Sequence, residues 1–78
     1  MAAIIMPQFG ETAGEEIKIV KWKKFVGDAV KAGDALLEVD TEKSTLVVEA
    51  ADTGRLAAIL INAGDIAHAG DIIGYLED

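Results

Sequence analysis

The sequence predicts an all-β fold, a flattened barrel or sandwich of two small antiparallel sheets related by pseudo-twofold symmetry. Three observations lead to this prediction. Short apolar runs rich in Val, Leu, Ile and Thr, too short for helices, alternate with polar and glycine-containing segments. The segment 27–37 is echoed at 64–74. A polar segment at 40–44 lies between two such runs, as the tip of a β-hairpin does.

Composition limits the chain to one domain, residues 1–78, of which 51% are hydrophobic and whose mean hydropathy is +0.30. Area scaling predicts a folded surface of about 4,500 Å², enough for one modest core but not for a deep pocket. The chain has no Cys and one His. These counts exclude disulfides, thiolate nucleophiles and multi-histidine metal sites, so we predict no metal site.

The charge balance excludes further classes of partner. Fourteen acidic residues against seven cations give a formal net charge of −7, which argues against binding nucleic acid or an anionic membrane. No run approaches the ~20 apolar residues that a membrane-spanning helix needs. Strand-like sequence follows Met1 at once, in place of a signal or transit peptide. We therefore expect a bacterial cytoplasmic setting, or the mitochondrial matrix if a transit peptide is missing from this chain.

Two predicted strands precede the repeated segment, and the runs 35–39 and 45–49 are the predicted strands on either side of the hairpin tip. Residues 2–6 form an apolar run that Pro7 closes. Residues 8–15 carry two glycines and no apolar pattern, which is typical of a surface loop. Glu16–Trp22 is the second strand, and residues 25–28 lead from it into a turn.

The repeat is carried by two Gly-Asp pairs per half, at an offset of 37 residues. The pairs are Gly27-Asp28 and Gly33-Asp34, then Gly64-Asp65 and Gly70-Asp71. Each half is therefore predicted to contain two tight turns, in which Gly supplies backbone angles that a β-carbon resists and Asp bonds nearby amides.

The repeat also extends backwards from these turns. Trp22 matches Ile59 at the same offset, and residues 4–6 take the part of residues 47–49. Each half alone leaves an apolar face open, so the pseudo-repeats, about 1–40 and 44–78, should pack together.

The hairpin that joins the halves holds Lys43 between Glu42 and Ser44. A catalytic lysine needs a desolvated pocket or a cationic neighbour, whereas the neighbours here are acidic and favour the charged ammonium. No nucleophile–base pair can be assembled, so we predict no catalytic residue. The pseudo-axis should place Lys43 at the end of the molecule opposite both termini. This arrangement suits a lysine to which another enzyme attaches a group.

These features resemble the lipoyl domain of 2-oxo acid, or acetoin, dehydrogenase complexes, over essentially the whole chain. The resemblance lies in Met6-Pro7 with Gly10-Glu11, in the strand and turns of the first half, and in the segment 38–44. Gly54 and Gly64 also fit the pattern. The family's attachment site usually reads Asp-Lys-Ala, and here it reads Glu42-Lys43-Ser44. Because Glu keeps the charge and Ser keeps a small residue, we expect the site to be retained.

The resemblance implies that Lys43 is joined by an amide to lipoic acid, with Glu42 and Ser44 as flanking residues that the lipoate-attaching enzyme recognises. It also implies three further partners: a thiamin-diphosphate-dependent decarboxylase, a dihydrolipoamide dehydrogenase and the acyltransferase core of the chain's own protein. The domain would then be a non-catalytic, swinging-arm carrier within a dihydrolipoamide acyltransferase.

In this family the loop after the first strand lies beside the lysine hairpin and helps the decarboxylase to choose its carrier. By this resemblance Gly10, Glu11 and Thr12 are candidates for partner recognition. The simpler interpretation of Glu11, Glu15 and Glu16 is a solvated acidic face.

Alternatives remain for function and for two conspicuous residues. A biotinyl carrier shares the fold and the hairpin lysine, but has Met on both sides of that lysine. An unmodified protein-interaction module is the second alternative, with Lys43 as an ordinary turn residue. His68 matches Lys31 in the repeat, which predicts an exposed polar position, and the bulk of Trp22 predicts core packing.

Overall fold

A computed structural model describes residues 1–10 and 15–78, and within these ranges it contains strands and no helix. This confirms the all-β prediction, and no helix here could cross a membrane. The strands are β1 (Ala2–Ile5), β2 (Glu16–Trp22), β3 (Ala29–Val30), β4 (Ala35–Asp40), β5 (Thr45–Glu49), β6 (Gly54–Ile59), β7 (Ile66–His68) and β8 (Ile72–Glu77).

The strands form two four-stranded sheets, in the orders β1-β8-β6-β3 and β5-β4-β2-β7. Every neighbouring pair is antiparallel. Each half of the chain contributes four strands. If every strand of the first sheet is replaced by the strand in the equivalent position of the other half, β1, β8, β6 and β3 become β5, β4, β2 and β7. The two orders are thus the same order, as pseudo-twofold symmetry predicts.

Residue pairing follows the same symmetry. Lys18 pairs with Asp40 across β2 and β4, and 37 residues later Arg55 pairs with Glu77 across β6 and β8. In the sheet that holds both chain ends, Ala2 of β1 lies opposite Leu76 of β8. The β4–β5 hairpin is therefore the pseudosymmetric counterpart of the point where the chain begins and ends.

One detail of the predicted repeat is wrong by one residue. Residues 4–6 correspond to 48–50 rather than to 47–49, because Met6 and Ala50 make the same bonds. The N–H of Met6 donates to Asp71 and its C=O accepts from Gly70, while Ala50 bonds Asp34 and Gly33 in the same way. Met6 and Ala50 are both buried. A shift of one residue would point Met6 to the exposed face.

Four similar turns, two in each half, connect the strands. In each, the N–H of an Asp donates to the C=O three residues before it, at 2.9–3.0 Å. The Gly before each Asp has a φ between +92° and +100°, the geometry that a type II turn requires at its third residue. The four turns end at Asp28, Asp34, Asp65 and Asp71.

The core lies between the sheets and consists mainly of aliphatic side chains. Its largest fully buried members are Met6, Ile17, Ile19, Leu36, Leu37, Leu56, Ile73, Val30 and Val39. The exposed area of the chain is 4654 Å², close to the value that area scaling predicts. Trp22 packs against this core as predicted, and its indole N–H donates to the C=O of Ile61 at 2.9 Å.

Candidate functional site

The site is built on the hairpin between β4 and β5. These strands pair up to Asp40 and Thr45, which leaves Thr41–Ser44 as the connecting loop. The Thr45 hydroxyl donates to Asp40 Oδ1 at 2.6 Å across the last pair. Asp40 therefore belongs to β4 and not to the tip as predicted, because this bond and the ladder extend the strand by one residue.

The loop itself is closed by the backbone and side chain of Thr41. The N–H of Thr41 donates to the C=O of Ser44 at 2.8 Å. The Thr41 hydroxyl donates to the same C=O at 3.1 Å and accepts from the N–H groups of Ser44, at 3.1 Å, and Lys43, at 3.4 Å. One hydroxyl thus uses its donor and both acceptor positions within the tip.

The three residues predicted as the attachment site lie together at this tip. Glu42, Lys43 and Ser44 are all exposed. Within residues 1–10 and 15–78, the Lys43 ammonium forms no ion pair, whereas Lys23 and Lys24 pair with Glu38 and Asp34. The amine of Lys43 is therefore accessible to another protein, on a backbone that local hydrogen bonds fix.

A groove of about 1020 Å³ runs beside the tip. Phe9 and Gly10 of the loop after β1 line it, as do Lys43, Leu46 of β5 and Ile66 of β7. The described part of that loop therefore lies beside the lysine hairpin, as the resemblance implied for Gly10. The other two candidate recognition residues, Glu11 and Thr12, lie outside the described residues.

Glu15 departs from the predicted solvated acidic face, whereas Glu16 is exposed as expected. Glu15 Oε1 is shielded from solvent and has no hydrogen-bond partner among the residues described. The reason is that the side chain folds back over Gly10, where a β-carbon would lie 3.3 Å from Oε1. Glu15 thus lines the groove instead of pointing into water.

His68 is exposed as predicted, and its Nδ1 lies 3.8 Å from Asp71 Oδ2. In the part of the chain that the structure describes, no group of three or more His, Asp or Glu side chains could hold a metal ion. The residue that sequence reasoning missed is Thr41. Its signal was a Thr two residues before the lysine of a polar turn, a position from which hydroxyls often bond the backbone.

Comparison with known proteins shows the family of the chain. The family model described as "Biotin-requiring enzyme" matches residues 2–76. The chain is 45% identical over 74 residues to the Saccharomyces cerevisiae mitochondrial pyruvate dehydrogenase complex protein X component, covering 94% of this chain and 18% of that protein. It is 36% identical over 78 residues to the Bacillus subtilis dihydrolipoyllysine-residue succinyltransferase component of the 2-oxoglutarate dehydrogenase complex, covering 100% and 18%. The chain thus spans less than a fifth of either relative.

Solved structures agree with the fold. The lipoyl domain of the 2-oxoglutarate dehydrogenase complex from Azotobacter vinelandii superposes with a TM-score of 0.78 at 29% identity, covering 100% of this chain and 98% of that one. Kluyveromyces lactis urea carboxylase superposes with a TM-score of 0.73 at 24% identity, covering 99% of this chain and 7% of that one; this second likeness shows the fold alone. The chain therefore belongs to the biotinyl/lipoyl family, as a lipoyl-type domain of the kind found in 2-oxo acid dehydrogenase complexes.

Proposed function

We propose that Lys43 is the covalent attachment site for lipoic acid and that the domain acts as a swinging-arm carrier. The observation that supports this proposal most is the placement of Lys43. It is exposed at the tip of a four-residue loop whose backbone is held by Thr41. An amine on such a tip is accessible to an attaching enzyme and, later, to several active sites in turn.

The attachment itself is an amide condensation. The carboxyl carbon of lipoate, activated at the expense of ATP by the attaching enzyme, bonds to Lys43 Nζ, and the activating group leaves. The carboxyl oxygen leaves with the activating group rather than as water, and the lysine nitrogen releases two protons and with them its charge. When bound, the dithiolane supplies the acyl transfer and the two-electron redox chemistry.

The residues of this chain present the amine and keep it clear of other groups. In the described ranges Lys43 has no carboxylate partner within ion-pair distance, so no such bond must break before it reacts. The groove beside the tip has a mixed lining, in which the apolar residues Phe9, Leu46 and Ile66 lie among charged and polar ones. Tethering on a compact domain raises the effective concentration of the arm at each active site that the domain visits.

The partners follow from this proposal. They are a lipoate-attaching enzyme, a thiamin-diphosphate-dependent decarboxylase, a dihydrolipoamide dehydrogenase and an acyltransferase core in the same protein. The relatives are bacterial and mitochondrial components of pyruvate and 2-oxoglutarate dehydrogenase complexes. We propose the bacterial cytoplasm as the compartment. The domain itself supplies no catalytic residue.

Biotin attachment is the second candidate, and the fold shared with urea carboxylase is the observation that favours it. The residues beside Lys43 argue for lipoate, because a biotinyl domain carries Met on both sides of its lysine and here the neighbours are Glu42 and Ser44. An unmodified interaction module is the remaining alternative.

Intact-mass spectrometry distinguishes the three. Purified protein is incubated with ATP, lipoate and a lipoate-attaching enzyme, and in parallel with ATP, biotin and a biotin-attaching enzyme. We expect the mass of one lipoyl amide in the first reaction and no change in the second. Lys43→Arg, which keeps the charge but offers no acylable amine, should stay unmodified. A biotin adduct, or no adduct in either reaction, would overturn the proposal.

A further inference from the structure

We propose that Thr41 is the positioning residue for the modification of Lys43. The Thr41 hydroxyl accepts hydrogen bonds from the N–H groups of Lys43 and Ser44 and donates to the C=O of Ser44. This inference rests on the proposed function, since it concerns how the lysine is presented to the lipoate-attaching enzyme. It assigns the presentation to a residue that is not itself modified.

The tip depends on this side chain. Among residues 1–10 and 15–78, backbone–backbone bonding in the loop is limited to the N–H of Thr41, which donates to the C=O of Ser44. The N–H groups of Lys43 and Ser44 instead donate to the Thr41 side chain. Without the hydroxyl, these two amides have water as their partner, and the peptide groups on both sides of the Lys43 α-carbon become free to rotate.

The peptide groups beside Lys43 set the direction of its side chain. Rotation about the backbone dihedrals of a residue swings its Cα–Cβ bond, and a lysine side chain amplifies that swing over its length. Attack of an amine on the carbon of an activated carboxyl tolerates little misplacement, because about 1 Å can cost a hundredfold in rate. The bonds from Lys43 and Ser44 to Thr41 therefore bear directly on the modification rate.

The base of the hairpin is held by groups other than the Thr41 hydroxyl. Thr45 donates to Asp40 at 2.6 Å, and β4 and β5 pair from Ala35 to Asp40. Loss of the Thr41 hydroxyl should thus loosen the tip alone. Thr41 is partly exposed and does not belong to the core, so its substitution should leave the rest of the fold intact.

The test compares three variants of the same hairpin. Thr41→Val removes the hydroxyl at nearly constant shape, Thr41→Ser keeps the hydroxyl, and Thr45→Val removes the other threonine hydroxyl without touching the amides of Lys43 and Ser44. For each, initial rates of lipoate attachment are measured with purified attaching enzyme and ATP over a range of domain concentrations. Amide hydrogen exchange of Lys43 and Ser44 is measured by NMR on the unmodified proteins.

We expect Thr41→Val to lower kcat/KM for attachment by roughly ten- to a hundredfold and to speed exchange at Lys43 and Ser44, with its thermal midpoint unchanged. Thr41→Ser should restore both the rate and the protection, and Thr45→Val should retain both. A kcat/KM of Thr41→Val equal to that of wild type would overturn the inference. So would a fall in kcat/KM of Thr45→Val as large as that of Thr41→Val. If wild type itself takes no lipoyl group, the proposed function fails and this inference with it, whatever the exchange data show.

Discussion

Gly74 lies so close to the backbone of Ala58 that no room is left for a β-carbon, and it also lies beside Trp22. A β-carbon on Gly74 would lie 3.5 Å from Trp22 Cη2 and 2.6 Å from the C=O oxygen of Ala58. The pseudosymmetric counterparts of Trp22 and Gly74 are Ile59 and Leu37. The repeat thus places a large side chain and a glycine at two positions whose counterparts hold medium-sized aliphatic side chains.

The first prediction follows from this contact. Gly74→Ala should lower the free energy of unfolding by about 1–3 kcal/mol, as overpacking does, although Ala is normally preferred over Gly in a strand. Urea titration measures the loss. The clash is with the backbone of Ala58, so Gly74→Ala should remain destabilising in a Trp22→Phe background. A neutral or stabilising effect would show that the backbone here moves aside freely.

The second prediction concerns the turn that ends at Asp34. Gly33 has a φ of +94°, and a β-carbon there would meet nothing within 4 Å. Any cost of Gly33→Ala is therefore conformational, about 1–2 kcal/mol for a left-handed residue. Gly33→Asn should cost less, because Asn tolerates this region, and Gly70→Ala should match Gly33→Ala. Equal stabilities of the Ala and Asn variants by chemical denaturation would contradict this account.

The third prediction uses the carboxyl group in the same turn. The N–H of Lys31, donating to Asp34 Oδ2 at 2.9 Å, lowers the pKa of Asp34 below its usual value of 3.8. Desolvation of the carboxyl opposes this shift, and the nearby Lys24 ammonium lowers the pKa further. The folded pKa lies below the unfolded one. Asp34 therefore adds stability that is fully present above the unfolded pKa and is lost as the pH falls through the folded one.

Wild type should accordingly have a higher free energy of unfolding than Asp34→Asn at neutral pH. This difference, the stability gap, should close as the pH falls below about 4. Urea unfolding between pH 7 and pH 2 measures the gap. In an NMR titration, Lys24→Gln should raise the Asp34 midpoint only part of the way, since the Lys31 N–H remains. A gap that stays constant down to pH 2 would mean that the ionised carboxylate contributes nothing.

The fourth prediction follows from the charge of Lys43. An amide at Lys43 leaves six cations against fourteen acidic residues, so the formal net charge changes from −7 to −8. The modified protein should migrate faster towards the anode on a native gel, and Lys43→Ala should match its mobility without any adduct. Because Lys43 is exposed at the tip, the free energy of unfolding of Lys43→Ala should lie within about 0.5 kcal/mol of that of wild type. An adduct that leaves the mobility unchanged would point to another residue or another chemistry.

Much of this fold could be predicted because the informative residues are local and repeated. The alternation in Glu16–Trp22 gave the bounds of β2, and the four Gly-Asp pairs gave the turns. The correspondence of residues 4–6 was wrong by one because Ile4, Ile5 and Met6 are all apolar. Such a run carries no signal of period two that would fix which side chains face the core.

The site was predicted in position but not in detail. A polar gap between two strand-like runs is enough to place Lys43 on a tip. The bonds of Thr41 depend on the path of the loop backbone, which residue types alone do not fix. The prediction that Glu15 is solvated was wrong for the same kind of reason, because no local residue pattern indicates the contact of its side chain with Gly10.

Exchanging two neighbouring residues of the tip tests whether the hairpin aims Lys43. The double variant Glu42→Lys with Lys43→Glu keeps composition, net charge and loop polarity, but moves the lysine by one position, where its side chain points in another direction. Lipoate attachment is followed by intact mass, with folding checked by amide dispersion in NMR spectra. We predict a folded protein that takes no lipoyl group at a measurable rate. A folded variant modified as fast as wild type would show that the enzyme needs only an exposed lysine, and that the hairpin does not aim Lys43.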